Sequence, residues 1–411
     1  MTGPLAAGVE FLDAPLEVFG LLLVLGALVA VVVQRSFLSL TAGFVIAGLV
    51  LGNAGFEVLD FDPRSEFVQG LAVIALIVIL FRDGLEVEEE ALREEWHLPL
   101  RSLALAMPLT CVLVAVATHS LTSLDWTQSF LLGALLSPTD PVLSSVVVTN
   151  PRVPRIVRHS LNLESGLNDG LALPAVLAFT AAAAGSDDFV WWRFVLQDVF
   201  IGAASGLAVA FVAARVMPRD TALGHPISAH QKALYALGVA FAAYGTAVLP
   251  PEGNGFIATF VAAIALGIWR PDIRGCFEER SEDVIEVVKL GVFLVFGATL
   301  TFDALFADGW AAVAIVAFTL LVARPAAIFT ALAGSRQVDT VEKAFMAWFG
   351  PKGVATMTFA LLVLGSNAAE GPRIANLAAL AVLTSVIVHG LTDQPASEWI
   401  GRRAERRAVA T

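Results

Sequence analysis

Charge, cysteine and tyrosine are all scarce in this chain. Asp, Glu, Lys and Arg make up 15% of its 411 residues, against roughly 25% in ordinary soluble domains. A surface so poor in charge, with its apolar residues in long runs, faces lipid. The two cysteines, Cys111 and Cys276, stand far apart and give neither a disulfide framework nor metal-ligand spacing. Two tyrosines against 27 phenylalanines suit side chains with no hydroxyl to satisfy. Met1–Leu16 lacks the basic start of a cleavable signal, so the first apolar run is expected to be retained. No nucleotide-binding loop, catalytic triad or metal-ligand cluster occurs. A primary pump, a membrane enzyme and a resident cofactor therefore have no supporting motif. Nothing suits nucleic acid, and the net charge of −12 sits mostly in loops.

What the chain has is apolar length: 57% hydrophobic residues and a mean hydropathy of +0.78. A bilayer crossing takes about 20 mainly apolar residues. Windows of that size predict an all-α polytopic membrane protein of about thirteen spans. They lie near 15–33, 38–53, 66–81, 99–118, 127–149, 157–184, 191–217, 232–250, 254–269, 284–301, 310–333, 341–364 and 374–395, the fifth and sixth being interrupted. Nineteen of the 25 Lys and Arg fall in or beside the odd-numbered loops and the C-terminal tail. That skew predicts an outside N-terminus and a cytoplasmic C-terminus in a plasma (inner) membrane. Trp126, Trp191, Trp192, Trp269 and Trp310 fall at span ends, where an indole belt belongs. The acidic stretch Glu86–Trp96 reads as a solvated cytoplasmic loop or short surface helix. The tail at 396–411 is too short for a large regulatory domain.

Two segment pairs match at one offset. Gly43–Gly52 (GFVIAGLVLG) lines up with Ala258–Gly267 (ATFVAAIALG), and Phe81–Leu85 (FRDGL) with Phe296–Leu300 (FGATL), each 215 residues later. The offset carries span two onto span nine and span three onto span ten. Seven is odd, so the halves enter the membrane from opposite sides: an inverted repeat, a common plan of secondary transporters. The expected layout is one membrane domain, with a first repeat about 15–185, a linker helix about 190–217 and a second repeat about 231–395.

The fifth span carries Ser137-Pro138-Thr139-Asp140-Pro141. Pro138 and Pro141 cannot donate to the preceding turn and their rings clash with it, so the helix should open around Asp140. Near the matching position of the twelfth span lies Gly350-Pro351-Lys352-Gly353, a second breaker. Paired broken helices point to the binding site of a carrier. In the sixth span Ser165 and Asp169 share a helix face, as do Glu164 and Asn168 on the adjacent strip. Arg324 precedes Pro325 in the eleventh. If they faced lipid, Asp140, Glu164, Asp169, Arg324 and Lys352 would together cost on the order of 12–17 kcal/mol. They must be paired, hydrated or protonated. Glu164 with Arg324 is the expected static pair. Three acids face two bases, which leaves one carboxylate to take a proton or a hard monovalent cation, and such competition is all an exchanger needs. His389 is expected to be packed and hydrogen-bonded, Lys289 to snorkel from near one end of span ten, Asp198 to pair locally and Asp83 to be interfacial.

Thr139-Asp140-Pro141 with Glu164-Ser165-Gly166-Leu167-Asn168-Asp169 resembles the sodium/proton antiporters of the cation:proton antiporter superfamily. The likeness is greatest to the electroneutral, NhaP-type branch, which carries Asn-Asp where the electrogenic branch carries Asp-Asp. The resemblance covers essentially the whole chain. It implies that Asp169 takes the cation or the proton, and that Asp140, Ser165 and the Thr139 carbonyl complete the coordination shell. Glu164 would act through water, held by Arg324, and Asn168 would tie the sixth span to the broken fifth. The resemblance also implies a homodimer. Its core, spans four to six and eleven to thirteen, would move against a dimerisation domain made by the rest. The chain departs from the family where Gly-Pro-Lys-Gly at 350–353 replaces Gly-Leu-Arg-Gly. Its third span ends in FRDGL, where many sodium exchangers are proline-rich and some potassium/proton members have an FDGG-like sequence. Na+ is the first expectation, with Li+ or K+ as alternatives, and both departures bear on the choice of Na+ over K+.

The resulting expectation is an electroneutral exchange of one monovalent cation for one proton, by alternating access around Asp169 and Asp140. A sodium-coupled symporter of a small organic anion on a related inverted-repeat fold is the second reading, and needs a roomier polar cavity. A passive cation channel is the third.

Overall fold

Polar residues fix where the helices begin. Ser65, Asp125, Ser228, Asn254, Thr301 and Asp339 each accept a backbone N–H from the first turn of the helix that follows. At Asp125, Ser228 and Asp339 the side chain of Gln128, Gln231 or Glu342 closes a reciprocal capping box. The computed structural model describes residues 15–25, 40–87, 96–140, 145–185, 190–219, 227–250 and 252–410. Pro141 and residues 88–95 of the acidic stretch lie outside them. In chain order the helices are α1 (Pro15–Leu25), α2 (Leu40–Leu51), α3 (Glu66–Leu85), α4 (His97–Leu121), α5 (Trp126–Leu135), α6 (Ser145–Thr149), α7 (Arg155–Ala183) and α8 (Trp191–Val216). There follow α9 (Ala229–Ala247), α10 (Gly255–Trp269), α11 (Pro271–Thr299), α12 (Phe302–Leu305), α13 (Trp310–Ala331), α14 (Thr340–Trp348), α15 (Val354–Gly365) and α16 (Gly371–Ala410).

Among the described residues, six helices (α3, α4, α7, α8, α13 and α16) are long and apolar enough to cross a bilayer. The count is seven if α10 and α11, bent 118° from each other, form one span. Two of the six open into a π turn just ahead of a proline: Ser102–Ala106 before Pro108 in α4, and Thr319–Ala323 before Pro325 in α13. A proline cannot donate four residues back, and a wider turn re-pairs the carbonyls around it. Small residues set the closest helix pairs. A Cβ on Gly48 of α2 would strike the Leu294 carbonyl of α11, and one on Gly297 would strike that of Val45. Backbones approach this closely in lipid where side chains are absent.

The helix bounds refine three expectations. The sixth span is not interrupted: α7 is one helix of 29 residues with Pro174 inside it, because one proline removes only the bond to the Gly170 carbonyl. The helix that carries the tenth apolar run begins at Pro271, ahead of that run, since proline at the first helical position gives up no needed donor. Its charged turns form a helix with Ile273, Phe277 and Ile285 buried and Glu279, Arg280, Glu282 and Asp283 exposed. The tail continues the last span as α16 and docks through buried Ile400 on a cluster shared with α4, α6, α7, α13 and α14.

Candidate cation-binding site

The break after α5 and the break after α14 lie across each other. The Asp140 N–H donates to the Pro351 carbonyl (2.8 Å), Lys352 Nζ to the Pro138 carbonyl (3.0 Å) and the Thr356 hydroxyl to the Leu135 carbonyl (3.0 Å). Each break thus answers backbone groups freed in the other, which is how irregular backbone is held at this depth. The Val354 N–H, first in α15, donates to Asp140 Oδ2 at 2.9 Å, so this carboxylate caps a helix N-terminus. The two glycines of Gly-Pro-Lys-Gly are demanded by space. A Cβ on Gly350 would fall on the Arg324 guanidinium, and one on Gly353 on the Asp140 carboxylate.

Lys352 is wholly buried, and its N–H donates to Ser385 Oγ (2.8 Å). Ser385 Oγ lies 3.0 Å from His389 Nδ1, and His389 Nε2 lies 2.9 Å from the Trp348 carbonyl. His389 is packed and hydrogen-bonded, and braces the end of α14 against α16.

Helix α7 supplies the other half. Arg324 Nη1 donates to Glu164 Oε1 at 2.9 Å and Nη2 to the Met346 carbonyl at 3.4 Å. Asn168 Nδ2 donates to both the carbonyl and the hydroxyl of Thr139, each at 2.8 Å. The Thr139 carbonyl is therefore already engaged, with one lone pair remaining. Asp169 is 5% exposed and Ser165, one turn before it, 6%. Glu164 Oε2, Asn168 Oδ1, Asp169 Oδ1 and Arg324 Nε are buried and meet no hydrogen-bond partner among the described residues. Buried polar atoms without partners are rare, and here four gather in one place. These contacts join Pro138, Thr139, Asp140, Glu164, Asn168, Arg324, Gly350, Pro351, Lys352 and Gly353; Ser165 and Asp169 stand beside them on α7, and Pro141 lies outside the described residues.

Two residues set aside in the sequence belong to this neighbourhood. Asp83 and Lys289 are each only 7% exposed, packed between helices of the protein. Asp83 is buried because the last turn of α3 packs on α7 and α10; a Cβ on Gly84 would press on Ala263 and the Phe260 carbonyl. Lys289 lies deep in α11 because that helix starts at Pro271. The Asp83 carbonyl lies 3.7 Å from where a Cβ on Gly166 of α7 would stand. The available signal was an Asp and a Lys each placed just inside an apolar run.

Residues 20–399 match the family of transmembrane sodium/hydrogen exchangers. The chain belongs to the sodium/hydrogen exchanger family and is a membrane transporter, not an enzyme. It is 25% identical over 403 residues to the K(+)/H(+) antiporter NhaP of Alkalimonas amylolytica, covering 95% of this chain and 67% of that protein. It is 23% identical over 377 residues to the K(+)/H(+) antiporter NhaP2 of Shewanella sp. strain ANA-3, covering 90% and 64%. It is also 23% identical over 378 residues to the Na(+)/H(+) antiporter NhaH of Halobacillus dabanensis, covering 87% and 91%. The chain thus spans about two thirds of the length of the NhaP and NhaP2 relatives. The sodium proton antiporter MjNhaP1 of Methanocaldococcus jannaschii superposes with a TM-score of 0.78 over 96% of this chain and 98% of that one, at 19% identity. The two share a fold.

Proposed function

We propose that this chain exchanges a monovalent cation, Na+ or K+, for H+ across a membrane, one for one, with the two competing for Asp169. One observation carries the reading. Asp169 is buried at the crossing of two broken helices with Oδ1 unpartnered, while the neighbouring charges are committed: Asp140 to the N-terminus of α15, Glu164 to Arg324, Lys352 to the Pro138 carbonyl. A proton and a monovalent cation carry the same charge, so a site with one free carboxylate returns to the same electrostatic state with either ligand. Asn168 in place of a second acid makes the exchange electroneutral.

Asp169 holds the ion, Asp140, Ser165 and the remaining lone pair of Thr139 complete its shell, and Glu164 acts through water. Asn168 and Lys352 hold the broken segment in place. The protein works as a homodimer with about thirteen spans in two inverted repeats, its N-terminus outside and its C-terminus in the cytoplasm of a plasma membrane. Spans four to six and eleven to thirteen move as a core, opening the crossing to each side in turn. The names of the relatives, potassium/proton and sodium/proton antiporters alike, support a monovalent cation without choosing between the two.

Proteoliposomes loaded with a pH-sensing dye test this with Na+, Li+ and K+ compared. Cation-driven proton movement that disappears in Asp169→Asn is expected. A wild type without such movement, or an Asp169→Asn variant with full activity, overturns the reading.

A further inference from the structure

Between α14 and the last turns of α16 runs an open apolar groove of about 380 Å³. Val341, Ala344, Phe345 and Trp348 line one side, Ala396 and Trp399 the other. In α16 the opposite face is already taken: Ser397, Ile400 and Gly401 are buried, Ile400 on the cluster shared with α7 and Gly401 against Arg152. Trp399 is left 52% exposed. Trp348 donates its one N–H to Thr392 Oγ1 (3.0 Å), so its ring brings the groove no polar atom to satisfy.

The rim is basic. Arg403 (2.9 Å) and Arg407 reach Asp339, the cap of α14, which brings the arginine turns of α16 to the end of the groove. Arg402 and Arg406 follow Trp399 by three and seven residues, on its side of the helix, and both are exposed. Arg402 meets Glu398 only at 3.7 Å. Six bases (Arg336, Lys343, Arg402, Arg403, Arg406, Arg407) stand here with four acids (Asp339, Glu342, Glu398, Glu405), and Asp339 and Glu342 are engaged in the capping box. An exposed indole, an apolar cleft and a positive rim at the end of a span fit an anionic phospholipid, its chain in the cleft and its phosphate on the guanidinium groups. A second copy of this chain would bring up a rim of the same sign.

The floor of the groove leads to the second break. Phe349 lines it and Gly350 follows. The Met346 carbonyl accepts from Arg324 Nη2, which belongs to the guanidinium that holds Glu164. The Trp348 carbonyl lies 2.9 Å from His389 Nε2, and His389 Nδ1 lies 3.0 Å from the Ser385 hydroxyl that accepts the Lys352 N–H. Short chains of hydrogen bonds therefore connect the groove with both halves of the crossing.

We propose that this groove is a regulatory site for an anionic phospholipid of the leaflet on the C-terminal side. One acyl chain lies between Trp348 and Trp399, and the phosphate sits on Arg402 and Arg406. Occupation steadies the end of α14 beneath the second break. The site stands on the groove and its rim alone, while its effect on exchange rests on the antiport reading above.

Thermal melting of the full chain in detergent reads binding without transport. Phosphatidylglycerol near saturation is expected to raise Tm by about 5 °C, and phosphatidylcholine by much less. Ala344→Trp, which fills the groove, and Arg402→Gln with Arg406→Gln, which strips the rim, should each lose most of that increment. Should Ala344→Trp fail to fold, the arginine variant, changed only at exposed positions, carries the test. In proteoliposomes the maximal rate of cation-driven proton exchange should be about fivefold higher with phosphatidylglycerol than with phosphatidylcholine alone, and the arginine variant should lose the difference. Equal increments from the two lipids, or full increments in both variants, overturn the site. An Ala344→Trp variant that halves the mass of the assembly, without any dependence on phosphatidylglycerol, shows a second copy in the groove and overturns it too. A rate indifferent to lipid, beside an exchanging wild type that melts higher with phosphatidylglycerol, overturns the regulatory role. A wild type that exchanges nothing yet melts higher with phosphatidylglycerol overturns the antiport reading and supports the site.

Discussion

The molecule buries charge in two places and treats it in opposite ways. At the corner where α8, α9 and α11 meet, Arg270 is 1% exposed and all its donors are engaged. Nε and Nη2 donate to Asp272, Nη1 to the Ala214 and Met217 carbonyls, and Nη2 also to the Pro218 carbonyl. Lys232 joins Asp272 at 3.4 Å. At the crossing, four polar atoms of Glu164, Asn168, Asp169 and Arg324 meet no such partner among the described residues. A fully satisfied network rigidifies what it joins, and the corner fastens helix ends. On the proposed reading, the crossing is balanced only when a cation or proton enters. Satisfaction, rather than burial, separates a charge that holds the fold from one that handles ions.

Substitutions on each side sharpen that contrast. Asp169→Asn should cut cation-driven proton flux by at least about 100-fold while Tm stays near wild type, because the site loses its charge but no bond. An equal fall in flux and Tm would make Asp169 structural. Arg270→Gln should do the reverse. It leaves a carboxylate and three carbonyls short of donors, costs about 3 kcal/mol of stability, and keeps the KM for the cation. A changed KM with an unchanged melt would break the comparison. The Glu164–Arg324 pair falls between. Removing either partner strands a buried charge, whereas Glu164→Gln with Arg324→Gln should recover about 1–3 kcal/mol relative to additive behaviour. If the double variant melts no higher than the worse single one, the two are not coupled.

The crossing was legible in the sequence because its signals are local. Pro138, Gly350, Pro351 and Gly353 interrupt apolar runs, and Asp140, Lys352, Asp169 and Arg324 are charges inside them. Partner choice was less legible, being made between residues more than a hundred positions apart. Counting charges set Lys352 against the acids, yet its ammonium donates to the Pro138 carbonyl, and the Thr139 carbonyl goes to Asn168. The packing of Asp83 and Lys289 was hidden for a different reason. A hydropathy window ends a span where charges begin, but the helix of α11 runs through its charged turns from Pro271, which carries Lys289 inward.

The smallest expected effect lies where charge is most exposed. Asp339 caps α14, its Oδ1 accepting the N–H groups of Val341 (2.8 Å) and Glu342 (2.9 Å). Its Oδ2 takes Arg403 at 2.9 Å and also Arg407, from the end of α16. Partial desolvation pushes this carboxyl up, but the Glu342 N–H, Arg403 and the Val341 N–H outweigh it and hold it below the usual carboxylate range. A depressed folded value means the contribution is present above the unfolded pKa, about 4, and disappears as pH falls through the folded one. Asparagine still caps a helix, so Asp339→Asn removes only the ion pairs, worth about 0.5 kcal/mol at neutral pH in so exposed a place. The Tm of wild type should therefore fall more steeply than that of Asp339→Asn between about pH 5 and pH 3, with cation KM identical at neutral pH. Parallel melting curves would show that the Arg403 and Arg407 pairs do not fasten α16 to α14. A KM that moved with Asp339 would extend the ion-handling charge beyond the crossing, into a cluster where these carboxylate oxygens already have partners.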